Sequence, residues 1–346
     1  MTTASVASEG PVASSGVSNS GAPAGHFPAQ LFRCPDTRGS LRIEQATEAD
    51  SRLAARRGDK RPVDHVYVSD DTGKRWPVIG GIPRFVESDL YVDSFSFEWN
   101  THNQTQLDSR TGSTSSEEMF QLKTGLDGDQ VRGKLVLDAG VGAGRFSDVL
   151  SRWGANVVGV DLSYAVEASY ANFKHLPNVK IAQADIGRLP FAERTFDYIV
   201  SIGVLHHTPN LRAYFERLVP LLKPGGEICI WVYPAQGDYI KRAAWIPFTY
   251  RIPDTWFYGW CRVFVPWALK HLNNPVVQYI HKAFPFSNQG LGVENDILDT
   301  FDGYSPRYHE IHNPDEVVTW FNEAGLIDVR VLPWDTAVRG RRRSEV

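Results

Sequence analysis

Residues Val136–Phe146, VLDAGVGAGRF, lead from an apolar run into three glycines at alternate positions, Gly140, Gly142 and Gly144. The run reads as a buried strand. Glycines between a strand and a helix let the backbone approach a nucleotide, and the helix start then offers free N–H groups. The dinucleotide fingerprint G-x-G-x-x-G is not met, because Arg145 stands where its last glycine would fall. Asp138 closes the strand two residues before the first glycine. A carboxylate is awkward there beside a pyrophosphate, whereas it suits a ligand that carries an ammonium and a sulfonium.

Further strand-like runs follow outward from this loop: NVVGVDL from 156, VKIAQAD from 179, FDYIVSIG from 196 and EICIWVYP from 227, separated by helix-like or polar segments. That alternation argues for βαβ units and an α/β fold, with a mostly parallel sheet covered on both faces. Regularity is lost after Pro234 and returns at Asn313, an N-cap followed by Pro314 and, at capping-box spacing, Glu316. The helix so begun has an apolar face of Val317, Val318, Phe321 and Ala324 and ends at Gly325; LIDVRVLPW and TAVRGRRR then read as a strand and an antiparallel return at the C-terminal edge.

Three more positions fall in step with the glycine loop. Asp161 ends the second strand, about twenty residues on, where a carboxylate can accept both ribose hydroxyls. Asp185 ends the third, where an acceptor can meet an adenine amino group under cover of Ile186, and LLKPGG precedes the fifth. Taken together, LDAGVGAGRF, VDLS, ADI and LLKPGG resemble the class I S-adenosylmethionine-dependent methyltransferases, over roughly residues 96–236. The resemblance implies a Rossmann-like sheet and S-adenosylmethionine as cofactor. It implies a cofactor site of Asp138, Gly140, Gly142, Gly144, Arg145, Asp161, Leu162, Asp185, Ile186 and Gly203, closed from the N-terminal side by Phe97, Trp99 and Thr124.

In-line attack on a sulfonium methyl needs positioning above all, and a general base only where the nucleophile must lose a proton. His206 and His207 follow the fourth strand at the carboxyl edge of the sheet and are candidates for that base. Tyr308, His309, Glu310 and His312 form a second polar group, which either lines an acceptor pocket or caps the last helix.

An insertion over 237–305 follows the fifth strand. Its aromatics include Trp245, Phe248, Tyr250, Trp256, Phe257, Tyr258, Trp260, Phe264 and Trp267, and between 241 and 282 six lysines and arginines face only Asp254. Three readings fit: core packing on the sheet, a lid over a bulky apolar acceptor with an anionic group, and a helix at a membrane surface making peripheral contact. A small or medium-sized organic acceptor is expected, such as a prenyl, lipid or other specialised metabolite. Two rival readings are a nucleic-acid methyltransferase and a non-catalytic S-adenosylmethionine-binding module. Nucleic acid is disfavoured by the net charge of −4 and by SIGVLHHTPN, which holds no Asn-Pro-Pro-Tyr-like motif after the fourth strand.

Residues 1–30, rich in Ala, Ser and Gly, are expected to be a disordered tail without the pattern of a secretory signal. Residues 31–95 read as a small β leader, and 96–346 as the methyltransferase domain. The leader resembles a degenerate zinc-ribbon-like segment: Cys34 and Pro35 are present, but Thr37 stands where a second cysteine would be, so no metal is implied. Three scattered cysteines and no apolar run near the roughly 18 residues of a membrane span point to the cytoplasm. Oligomeric state has no signature in the sequence.

Overall fold

All five residues of the strand that opens the glycine loop, Leu135–Ala139, are buried. Leu135, Leu137 and Ala139 join one apolar cluster with Phe191, Phe196 and Phe215, whereas Val136 joins another with Phe120, Val149 and Leu150. A strand covered on both faces needs this two-residue alternation with no polar side. Asp138 falls on the Val136 side, above the helix Arg145–Arg152, and that places its carboxyl out of water. The structure, a computed structural model, describes residues 25, 27–57, 59–87, 107–288, 290 and 292–344. Most of the expected tail, and both Phe97 and Trp99, lie outside the described residues.

The strands run β1 (Leu41–Glu44), β2 (Val63–Ser69), β3 (Arg75–Ile79), β4 (Ile82–Phe85), β5 (Leu135–Ala139), β6 (Asn156–Asp161), β7 (Val179–Ala184), β8 (Phe196–Ile202), β9 (Leu222–Trp231), β10 (Ile327–Val331) and β11 (Ala337–Arg341). They form one eleven-stranded sheet in the order β1-β2-β3-β4-β7-β6-β5-β8-β9-β11-β10. From β4 to β9 the neighbours are parallel, while β11 runs antiparallel to β9 and β10 antiparallel to β11. The mostly parallel sheet with an antiparallel C-terminal edge is therefore as read from the sequence.

The leader strands form an antiparallel meander, and the last of them lengthens the central sheet: Arg84 pairs with Gln183 and Phe85 with Ala184. Phe32 packs between Tyr67, Phe85 and Phe191, so the leader shares the apolar core of the larger unit. The Lys-Pro-Gly-Gly stretch, expected ahead of the fifth strand, lies within β9, where a register shift against β8 between Phe196 and Tyr198 accommodates it.

From β5 the chain crosses to β6 and β7 on one side and then returns to β8 and β9 on the other. In open α/β sheets ligands bind at the carboxyl ends where the strand order reverses, here those of β5 and β8. The insertion after β9 supplies helices Gly237–Thr249, Asp254–Lys270, Pro275–Ala283 and Val293–Asp302. They enclose a core of their own, with Phe257, Cys261, Val265, Phe286, Phe301 and Tyr304 among its members. The closing helix Pro314–Glu323 begins with the expected capping box between Asn313 and Glu316.

Candidate active site

The glycine loop has backbone geometry that side chains tolerate poorly. Gly140, Gly142 and Gly144 have φ of +92°, +52° and +101°. A Cβ at Gly140 runs into the side chain of Val204 from the β8 loop, and one at Gly144 into the ring of Phe173. The loop is held from behind by the helix Ala165–Phe173: Ser169 donates to the Gly142 carbonyl, and Asn172 donates to that of Ala143 at 3.1 Å.

Two acidic residues frame the loop. The Asp138 carboxylate accepts from the Ser147 hydroxyl at 2.7 Å and is pushed up to about 6, by burial first and by the charge of Asp161 in addition. Asp161 accepts from the Gly142 N–H at 3.0 Å and from the Ser163 N–H and hydroxyl at 2.9 and 2.8 Å, and burial again raises its pKa. Both carboxylates thus have neutral hydrogen-bond donors only among the described residues, and burial favours their ionised form little until a cation or hydroxyl donor joins them. Two accepting carboxylates fit a ligand that donates from an ammonium group and a diol.

The other expected cofactor residues divide. Leu162 is half-buried beside Asp161 and its carbonyl accepts from Gln183 at 2.8 Å. Asp185 accepts from the Gly187 N–H at 2.7 Å, capping the short helical turn that sets the buried Ile186 in place. Gly203, with φ of +82°, ends β8 over Trp231. Thr124 is fully buried, donating to the Phe120 carbonyl and accepting from the Leu126 N–H, so its hydroxyl ends the helix Ser115–Thr124. Arg145 donates to the Ser116 hydroxyl at 3.0 Å and ties that helix to the loop; burial lowers its pKa, with the carboxylates of Asp299 and Asp108 acting against it.

Beyond β8 and β9 lies a buried polar cluster. His206 stacks on Tyr233, with ring centroids 3.7 Å apart, and meets His207 at 4.1 Å. His309 approaches Tyr233 at 4.9 Å and His207 at 5.9 Å, while Tyr239 lies 4.7 Å from Tyr233. The Tyr233 hydroxyl donates to Asp302 at 3.3 Å, and the His207 Nδ1 donates to the Tyr308 carbonyl at 2.9 Å. Burial holds all three histidines neutral: His207 is lowered to about 4, His309 to about 3, and His206 well below its ordinary value. Burial pushes the carboxyls of Asp299 and Asp302 upward.

The polar group near residue 310 is split by the structure. His309 and the Tyr308 carbonyl enter the cluster, whereas His312 lies 3.2 Å from both Glu310 and Glu316 at the start of the last helix. Burial opposes the charge of His312, but those two carboxylates raise its pKa. Sequence reasoning did not single out Tyr233, Tyr239, Asp299 or Asp302, whereas Arg242 belonged to the basic set of the insertion. Tyr233 could have been found as the second residue past β9; the two aspartates have no local signal, because helix Val293–Asp302 comes to the cluster only through the insertion's folding.

Residues 137–230 match the methyltransferase domain family. Among curated proteins, a ubiquinone biosynthesis O-methyltransferase of Coxiella burnetii is 35% identical over 28% of this chain and 43% of its own length. A sterol 24-C-methyltransferase of Saccharomyces cerevisiae is 31% identical over 31% of this chain and 30% of its own. A phosphoethanolamine N-methyltransferase of Caenorhabditis elegans is 33% identical over 31% and 25%. The chain thus spans less than half the length of these relatives. A solved S-adenosylmethionine-dependent methyltransferase from Mesorhizobium loti aligns with 31% of this chain and 53% of its own, at 26% identity and a TM-score of 0.28. The chain contains a class I methyltransferase domain, and the glycine loop with Asp138 and Asp161 falls inside the matched residues. Among the described residues no three metal-ligating side chains gather; Cys34 is buried, and Thr37 donates to Asp71.

Proposed function

We propose that this protein transfers the methyl group of S-adenosylmethionine to a small organic acceptor bound against His206, Tyr233, His309 and Asp302. One observation carries the acceptor assignment. Both ring nitrogens of His206 and of His309, Oδ1 of Asp302 and Nε of Arg242 are buried with no hydrogen-bond partner among the described residues. Buried polar atoms are nearly always paired, so a group of unpaired ones beside a cofactor loop is best explained by a polar acceptor that completes them.

The bound cofactor supplies an electrophilic methyl on a sulfonium. The protein's part is to orient the acceptor and exclude water. Neutral His206 and His309 can accept a hydrogen bond from an acceptor hydroxyl or amine; the nucleophile's proton passes to the Tyr233 oxygen as the phenol proton passes to the Asp302 carboxylate, which ends protonated. Helix Gly237–Thr249 covers this edge through Tyr239, which supports an acceptor of modest size with an apolar part.

The test is transfer of labelled methyl from S-adenosylmethionine to lipid-soluble, water-soluble and nucleic-acid fractions of a cell extract. Label in either of the first two supports the proposal. Label confined to nucleic acid replaces it, and cofactor binding without transfer to any fraction favours a binding module.

A further inference from the structure

The insertion has apolar surface on both sides, and its own folding explains only one of them. On helix Asp254–Lys270 the buried residues Phe257, Tyr258, Cys261, Val265 and Ala268 form the inner face. Trp256, Trp260, Val263 and Trp267 recur at steps of four, three and four, which puts them in one stripe along the helix. That stripe faces outward: Trp256 is 76% exposed, Val263 74%, Trp267 44% and Trp260 42%.

The stripe does not stand alone. Ring contacts run from the exposed Phe248 to Trp245, on to Phe284 and Trp260, and through Phe264 to Trp267, joining the outer faces of two helices. The same segment is basic. Residues 237–283 carry six lysines and arginines against Asp238 and Asp254 in a chain whose formal net charge is −4; Arg242 has its Nε buried in the polar cluster and Lys241 pairs with Asp238, which leaves four outward cations against Asp254. Arg262 and Lys270 are exposed on the second of these helices, Arg251 in the turn between the two, and Lys282 on the helix Pro275–Ala283. No helix among the described residues is long and apolar enough to cross a membrane.

We propose that the outer face of helices Gly237–Thr249 and Asp254–Lys270 docks on an anionic lipid surface. Tryptophan rings favour the headgroup boundary, where an apolar body and an N–H are both satisfied, and the exposed Lys270, three residues after Trp267 and so beside the stripe, meets a lipid phosphate. A globular partner without that negative charge leaves the cations unanswered. The same arm reaches the acceptor site through Tyr239, so docking would bring the acceptor site to the bilayer surface; the docking itself does not depend on the chemistry proposed above.

The experiment is flotation of the full chain with phosphatidylcholine vesicles, with and without phosphatidylglycerol, alongside sedimentation velocity without lipid. The wild type is expected to float with the anionic vesicles, less so at high salt, with a blue shift of tryptophan emission. A Trp256→Ser/Val263→Ser double variant, changed only at exposed positions, is expected to lose at least about tenfold in partitioning. Lys270→Gln should lose roughly fivefold. Both should keep the wild-type cofactor affinity, which separates loss of docking from damage to the fold. Wild-type protein that stays unbound, or a double variant that floats as well as wild type, overturns the proposal. A wild-type dimer that the double variant dissolves also overturns it and assigns the face to a second copy of the chain.

Discussion

The imidazole of His206 lies flat against the phenol of Tyr233, with 3.7 Å between ring centroids and 28° between planes, and the Tyr233 hydroxyl donates to Asp302. A histidine from the β8 loop, a tyrosine just past β9 and an aspartate at the end of an insertion helix are thereby joined in one buried group. Tyr233→Phe keeps the ring stack and removes only the hydroxyl. It is expected to lower methyl transfer by roughly tenfold to a hundredfold with cofactor affinity unchanged. A variant with full turnover would show that the acceptor lies elsewhere.

We propose two tasks for Asp161: it accepts from the Gly142 N–H, and it offers its remaining lone pairs to the ribose diol of the cofactor. Asp161→Ala is expected to weaken S-adenosylmethionine binding by roughly tenfold to a hundredfold, read by calorimetry on folded protein. Asp161→Asn should retain part of the affinity, because its amide oxygen can still accept from Gly142.

The pH dependence of cofactor binding should report Asp138, whose carboxyl is raised to about 6. Without ligand, a raised carboxyl adds stability below its unfolded pKa near 4, and that contribution is lost as pH rises through about 6. A cationic ligand reverses the preference and favours the ionised form. Affinity is therefore expected to rise between about pH 5 and pH 7, by up to roughly tenfold per unit below the folded pKa. In Asp138→Asn the titration should be flat across that window.

Gly144 tests the loop's packing. Its φ of +101° and the collision of any Cβ with Phe173 make Gly144→Ala costly, by about 2 kcal/mol or more in denaturant unfolding. Gly73, also at positive φ but with open space around its Cβ position, provides the control; Gly73→Ala should cost about 1 kcal/mol or less.

Arg339 is only 2% exposed, pairs with Glu227 and donates to the Thr124 and Gly125 carbonyls. It pins the end of helix Ser115–Thr124 to the antiparallel edge of the sheet. Arg339→Ala leaves Glu227 and two carbonyls without their cation and is expected to cost about 3 kcal/mol, measured by chemical unfolding.

The parallel core was legible because its signals are local. An apolar strand runs directly into glycines at three alternate positions, an acidic residue sits at or beside the end of each of β5, β6 and β7, and backbone sterics leave few ways to satisfy each local pattern. The cap at Asn313 and the antiparallel return near residue 337 were readable for the same reason. The sequence alone also revealed the aromatic and basic character of the insertion.

Only tertiary structure decided which of those aromatics face inward. Phe257 and Trp260 are three residues apart on one helix, yet Phe257 is 5% exposed and Trp260 42%, because helix Val293–Asp302 packs on Phe257 whereas Trp260 meets Phe284 at an edge and stays partly open. The same packing brought Asp302 to Tyr233 across 69 positions of chain. Local pattern fixes which way a residue points along its own element. Which distant carboxyl shares its burial depends on how whole elements pack, a quantity summed over the entire chain.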